Sequence, residues 1–249
     1  MSFPEGPKSI SVLIPALNEQ EGIKKTLNAI PKNKLADLGY DLEIIVIDGN
    51  STDLTREIAH TMGSKVILEK RKGYGRAYKT GFREAKGDIL VTLDADGTYP
   101  ADLIPNYIQH LKEKKLDFVT VNRFSKMEGG AMGISHRVGN TLLSFFTQLL
   151  YSIDVKDSQS GMWIMSKKFT GAINLQSEGF SLSEEIKIIA FKFFRAQELE
   201  GTYSRRAGKV KLGTLKDGWL NLKFLFKYKL LIKNALTPLS EPIEKEVTS

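Results

Sequence analysis

The chain alternates short apolar runs with segments whose apolar residues recur every three or four positions. Near-continuous apolar runs at 9–14, 42–47, 65–68, 89–93, 118–121 and 162–166 have the length and β-branching of buried strands. Runs with no polar alternate suit a parallel sheet covered on both faces. The intervening segments read as helices. Asn18 is placed to cap a helix over 19–30 whose Ile23, Leu27 and Ile30 face inward. Thr52 or Asp53 caps a second helix that reaches Met62. Ala77, Gly81 and Ala85 put a small-residue stripe on a third, which lets it pack close to the sheet. A fourth, over 102–115, turns Leu103, Ile104, Tyr107, Ile108 and Leu111 inward. This alternation of strand and helix reads as a nucleotide-binding α/β half-domain.

The pattern changes further on. Residues 127–133, rich in glycine and methionine, read as a mobile loop. In the helix expected over 133–153, His136, Arg137 and Asn140 precede Leu142, Leu143, Phe145, Phe146, Leu149 and Leu150. It is apolar around much of its circumference, as a core helix or one resting on lipid would be. Residues 180–194 read as helical, with Glu184 and Glu185 suited to the positive end of the helix dipole. Residues 219–229 interleave aromatics with lysines, the pattern of a membrane-surface helix. The expected organisation is a domain over 1–212 that includes the helix at 134–153, an amphipathic helix at 213–236, and a polar, disordered tail at 237–249.

Chemistry enters where the run 89–93 ends in Asp94-Ala95-Asp96. Residues i and i+2 of a strand share a face, so both carboxylates can converge on one cation at the carboxyl edge of the sheet. Hard oxygen ligands of this kind suit Mg²⁺ or Mn²⁺ bridging to phosphates. Two surface acids in a solvated turn are the plain alternative. The run 42–47 also ends in an acid, Asp48. Arg71-Lys72-Gly73-Tyr74-Gly75-Arg76 reads either as a basic loop facing a pyrophosphate or as a simple turn; its glycine spacing does not match a dinucleotide fingerprint.

The net charge of +7 calls for an anionic partner, whether nucleic acid, anionic lipid or phosphorylated substrate. The absence of cysteine excludes disulfides, thiolate metal sites and cysteine nucleophiles. No signal peptide is read in residues 1–8, and no apolar run approaches the roughly 20 residues that span a bilayer.

Pro15-Ala16-Leu17-Asn18-Glu19, Asp48-Gly-Asn-Ser-Thr-Asp53, the helix after Gly73 and Gly75, Asp94-Ala-Asp96, Arg123 and Asp157-Ser-Gln-Ser-Gly161 occur in that order. Over residues 9–212 the combination resembles the family-two glycosyltransferases of GT-A fold, and within them the dolichol-phosphate or polyprenyl-phosphate mannose, glucose and N-acetylglucosamine synthases. The resemblance implies a mostly parallel central sheet flanked by helices, with C-terminal amphipathic interfacial helices. It implies transfer of a sugar from GDP-mannose or a UDP-sugar to a polyprenyl phosphate, with inversion. Pro15, Ala16 and Glu19 would border the nucleoside, and Ile47 and Asp48 its base and ribose. Asp94, Ala95 and Asp96 would line the diphosphate, with Asp94 and Asp96 holding Mg²⁺ or Mn²⁺. Arg123, Arg137, Arg206 and Lys211 would hold donor and acceptor phosphates. Gly49, Gly97-Thr98 and Met162-Trp163 depart from the family pattern and leave the sugar open.

The implied partners are a nucleotide-sugar, dolichyl or polyprenyl phosphate and a membrane surface, at the cytoplasmic face and without nucleic acid. A family-two enzyme acting on a small or polysaccharide acceptor is the rival reading, and it requires Phe145, Phe146, Trp219, Phe224 and Phe226 to be buried. A basic nucleic-acid-binding module is a third, but it leaves the strand-terminal acids without a role.

Overall fold

The computed structural model describes residues 8–208, 214–232 and 235–236. One seven-stranded sheet runs through it. In chain order its strands are β1 (Ser9–Ala16), β2 (Asp41–Asp48), β3 (Lys65–Leu68), β4 (Ile89–Thr92), β5 (Phe118–Met127), β6 (Trp163–Ser166) and β7 (Ala196–Tyr203). Their order across the sheet is β3-β2-β1-β4-β6-β5-β7. All neighbours pair in parallel except β6, which runs antiparallel to both β4 and β5. The helices are α1 (Ile23–Ala29), α2 (Lys32–Asp37), α3 (Thr55–Thr61), α4 (Tyr74–Glu84), α5 (Ile104–Glu113), α6 (Ile134–Tyr151), α7 (Lys167–Ala172), α8 (Leu182–Phe193) and α9 (Thr214–Leu231).

The strand period of two divides the core. Ile10, Val12 and Ile14 of β1 join Ile89 and Val91 of β4 in one apolar layer, which Ile23 and Leu27 of α1 and Ile108 of α5 complete. Leu13 and Leu90 point to the opposite layer, with Tyr78 of α4 and Ile186 and Ile189 of α8.

Several boundaries differ from the sequence reading for local reasons. Helix α1 starts at Ile23 rather than at Glu19. Asn18 does not cap α1, whose N-cap is Gly22; it sits in the left-handed region at φ 51°, and its Oδ1 accepts the Thr52 N–H at 2.8 Å, tying the two loops together. Gly22 then crosses so close to the chain at 95–96 that a Cβ there would meet the Ala95 carbonyl oxygen at 2.6 Å. Helix α3 begins at Thr55, where Asp53 accepts the Thr55 N–H. Strand β7 was not anticipated: it is an edge strand paired to β5, and its sequence AQELEGTY carries no apolar run.

Two arginines of the basic loop, Arg71 and Arg76, are paired with acids. Arg71 is committed to Glu69 through Nε at 2.8 Å and Nη2 at 2.7 Å. Gly73, at φ 136°, lies where an added Cβ would run into the Glu178 carbonyl, and Arg76 and Lys79 pair with Glu178.

Helices α6 and α9 pack together. Leu225 and Tyr228 of α9 are buried, and the Tyr151 hydroxyl donates to the Leu225 carbonyl at 2.6 Å. Outward, α6 exposes Ile134, Val138, Leu142, Phe145 and Leu149, and α9 exposes Trp219, Leu220, Phe226 and Leu230. Among the described residues no helix is long and apolar enough to cross a membrane. Lys211 and the tail expected at 237–249 lie outside the described residues.

Candidate active site

A cavity of about 200 Å³ opens at the carboxyl edge of the sheet, between α6, α8 and α9. Asp94 and Asp96 follow β4 into it, as their strand-terminal position predicts. Asp94 Oδ1 accepts the Tyr74 hydroxyl at 3.0 Å. Burial, reinforced by the adjacent Asp96, pushes the Asp94 carboxyl up to about 7. Asp96 Oδ1 accepts both the Thr98 N–H at 3.2 Å and the Thr98 hydroxyl at 2.7 Å. Its Oδ2 takes Arg206 Nη1 at 2.7 Å, and Nη2 of the same guanidinium pairs with Glu19. Two acids side by side in a buried cavity favour a cation between them. Among the described residues no group of three or more His, Asp or Glu side chains converges. Two carboxylates still suit Mg²⁺ or Mn²⁺, which keep several waters and fill the rest of their shell from substrate phosphates. The donor set fits such an ion.

The neighbouring strand end carries Asp48, fully buried. Its Oδ2 accepts the N–H groups of Asn50 and Ser51 at 3.1 and 3.0 Å, and Arg56 Nε lies 3.4 Å away. Its Oδ1 is buried without a partner among the described residues. A buried carboxylate oxygen left open is costly unless something donates to it. Register puts Ala16 of β1 opposite Asp48 and Pro15 opposite Ile47. The Ile47 side chain itself is in the core against α4, so only its backbone reaches this edge. Ala95 is likewise packed inward.

Arg123, from β5, lines the cavity, and one edge of its guanidinium is taken. Nε and Nη2 each hold a different oxygen of Asp157 at 2.8 Å, and its N–H donates to the same carboxylate at 3.0 Å. Burial alone would raise the Asp157 carboxyl, but Arg123 beside it brings it below the usual carboxylate range. Asp157 opens the Asp157–Gly161 loop, which is fastened on every side. Buried Lys187 donates to the carbonyls of Asp157 at 2.8 Å and Ser160 at 2.7 Å, and burial pushes its ammonium down to about 7. The Tyr99 hydroxyl accepts the Gly161 N–H at 2.7 Å, and the Thr92 hydroxyl donates to the Gly161 carbonyl at 2.7 Å. Gln159 bridges two helices: its Nε2 donates to Glu184 of α8 at 2.7 Å, and its Oε1 accepts Nδ2 of Asn221 on α9 at 3.0 Å.

The structure thus brings Asp94, Asp96, Arg123 and Arg206 to one cavity and adds Glu19 through Arg206. It does not bring Arg137, which is exposed on α6 while His136 and Asn140 face the cavity. Glu185 is structural, its carboxylate accepting the N–H groups of Gln176 and Ser177, each at 2.7 Å. Sequence reasoning missed Tyr74, Gln159, Tyr203 and Asn221 as lining residues. Asn221, a lone amide among apolar residues and lysines at 219–229, was the available signal.

The sequence model of Glycosyl transferase family 2 matches residues 11–173. The low-salt glycan biosynthesis hexosyltransferase Agl6 of Haloferax volcanii is 32% identical over 220 residues, covering 87% of this chain and 53% of that protein. The dolichol-phosphate mannosyltransferase of Pyrococcus furiosus is 33% identical over 215 residues, covering 82% and 59%. The UDP-N-acetylglucosamine–dolichyl-phosphate N-acetylglucosaminyltransferase of Methanococcus voltae is 34% identical over 209 residues, covering 74% and 81%. The chain therefore spans little more than half the length of the first two. A crystal structure of glucosyl-3-phosphoglycerate synthase from Mycobacterium tuberculosis, with Mn²⁺, UDP-glucose and phosphoglyceric acid, matches with a TM-score of 0.67 at 23% identity, covering 91% of this chain and 79% of that one. That likeness establishes the GT-A architecture.

Proposed function

The chain belongs to glycosyl transferase family 2, and from that premise we propose that it transfers a hexose from a nucleotide-sugar to a dolichyl or polyprenyl phosphate, with inversion, at the cytoplasmic face of a membrane. One observation carries this reading: the acid-lined cavity opens between two helices whose outer faces are apolar. Phe145, Trp219 and Phe226 are 55%, 67% and 51% exposed, where an enzyme with a small acceptor is expected to bury them. Phe146 and Phe224 are half-buried. Lys223, Lys227 and Lys229 are exposed on α9 among these apolar groups, which suits an anionic lipid surface. The names of the Pyrococcus and Methanococcus relatives support a dolichyl-phosphate acceptor.

Within this reading each group has a task. The open Oδ1 of Asp48 accepts a hydrogen bond from the donor's nucleoside, bordered by Pro15, Ala16 and the backbone of Ile47. Asp94 and Asp96 would hold Mg²⁺ or Mn²⁺, which when bound offsets the charge gathering on the departing nucleoside diphosphate. Arg206, and Lys211 beyond the described residues, supply charge to phosphate oxygens. Arg123 lends the cavity its positive field while its fork fixes the Asp157 loop. An acceptor phosphate is already ionised near neutral pH, so no strong general base is needed.

A second reading, a small phosphorylated acceptor, draws on the polar side chains of His136, Asn140, Ser183 and Asn221 that also line the cavity. The deciding experiment offers GDP-mannose, UDP-glucose and UDP-N-acetylglucosamine, each labelled in the sugar, with Mg²⁺ or Mn²⁺. The acceptors are a polyprenyl phosphate in vesicles and glycerol phosphate in solution. Label passing into the lipid phase is expected with at least one donor; label passing only to glycerol phosphate overturns the proposal.

A further inference from the structure

Asp96 has two carboxylate oxygens, and both are engaged. Oδ1 is held by the N–H and hydroxyl of Thr98, two residues on, in a local turn. Oδ2 is the oxygen that faces the cavity's cationic group, Arg206 Nη1, at 2.7 Å. A divalent ion at Asp96 therefore needs the oxygen that Arg206 now occupies. Two positive groups on one oxygen repel, so the two occupancies compete.

Arg206 is not held by Asp96 alone. A different nitrogen, Nη2, pairs with Glu19, and the main chain beside it is anchored separately, the Ala207 N–H donating to the Asp96 carbonyl at 3.0 Å. Arg206 Nε is buried and finds no acceptor among the described residues. The guanidinium can let go of Asp96 without leaving the site, and it then has donors to offer to a phosphate oxygen.

We infer that Arg206 is a built-in counter-ion, an alternative to the divalent cation as partner of Asp96, and that Glu19 is a positioning residue that retains Arg206 at the cavity after the exchange. The cation's arrival thereby hands a phosphate-binding fork to the donor in the same event. This rests on the metal site proposed above, and it gives Glu19 a role on Arg206 instead of on the nucleoside.

The test reads metal binding directly, by the electron paramagnetic resonance signal of free Mn²⁺ in titrations of the full chain. The probes are Mn²⁺ alone, then Mn²⁺ with UDP or with GDP. Without nucleotide, Arg206→Gln is expected to bind Mn²⁺ roughly tenfold more tightly than wild type, and Asp96→Asn to lose binding. With the nucleotide that binds wild type, Glu19→Gln is expected to weaken nucleotide affinity roughly fivefold, and to have no effect in the Arg206→Gln background, because it acts through Arg206. A wild type that binds Mn²⁺ through Asp96, with Arg206→Gln no tighter, overturns the counter-ion role and leaves the metal site standing. A Glu19→Gln loss that persists without Arg206 overturns the positioning role. No Mn²⁺ binding by wild type, even with nucleotide, removes the metal site itself and this inference with it.

Discussion

Gly161 has no room for a methyl group, and the crowding falls on the acid pair. A Cβ there would lie 2.3 Å from the Tyr74 hydroxyl and 3.2 Å from Asp94 Oδ1. Gly161 cannot retreat, because Tyr99 and Thr92 hold its N–H and carbonyl. The Tyr74 ring is hemmed in too, stacked on Phe180 at 5.1 Å and edge-on to Tyr78 at 4.9 Å. Relief in Gly161→Ala must come by breaking the Tyr74–Asp94 hydrogen bond. At mildly alkaline pH, above the Asp94 value of about 7, the carboxylate is ionised and its hydrogen bond contributes about 1.5–3 kcal/mol, and overpacking adds about 1–3 kcal/mol. The expected loss is about 4 kcal/mol, or a drop in Tm of about 10 °C for a chain of this size. Urea and thermal melts of Gly161→Ala, Tyr74→Phe and the double variant measure it. Tyr74→Phe alone should cost about 2 kcal/mol. The double variant should fall short of the summed losses by at least about 1 kcal/mol, because removing the hydroxyl removes the clash. Strictly additive losses would refute this reasoning.

The pH dependence turns on Lys187. Its ammonium is pushed from 10.5 down to about 7 by burial, so the unfolded chain binds more protons between those values and this group's stability contribution rises with pH across that window. Wild type should therefore gain on Lys187→Met in urea midpoint from pH 7 to pH 10; parallel profiles would count against the buried ammonium. Asp96→Ala should lower sugar transfer about a thousandfold while the chain still melts cooperatively, and wild-type turnover would remove it from the site. Replacing Trp219, Phe226 and Leu230 with serine should weaken vesicle binding about a hundredfold with an unchanged melting curve; a lowered Tm would assign these side chains to packing instead.

What was legible in the sequence was whatever a local pattern dictates. The four residues of β4 are all buried, and an unbroken apolar run with an abrupt acidic end announced both the strand and its edge. Residues whose roles depend on distant partners stayed hidden. Asn18 has the chemistry of a helix cap, but Thr52, far along the chain, claims its side chain. Glu184 and Glu185 are indistinguishable as neighbours on a helix, yet one meets Gln159 of the cavity wall and the other holds two backbone N–H groups. Strand β7 was invisible because its edge position permits an exposed Glu200, and because half-buried Glu198 is satisfied by the N–H groups of Lys156 and Asp157 rather than by an apolar layer. Arg123 looked like a phosphate ligand, and only the fold reveals that its Nε and Nη2 also hold Asp157.

The reversed direction of β6 has a further consequence. A parallel strand offers a rim its end, whereas an antiparallel one offers its beginning, so the chain leaves β5 and comes back into β6 on the same side of the sheet. Everything between them, including α6, is an excursion hung from two fixed posts. Its helical part can be lengthened or trimmed without shifting the register of any other strand. The returning loop, Asp157–Gly161, has no such freedom, because Arg123, Tyr99 and Thr92 moor it to the rest of the sheet.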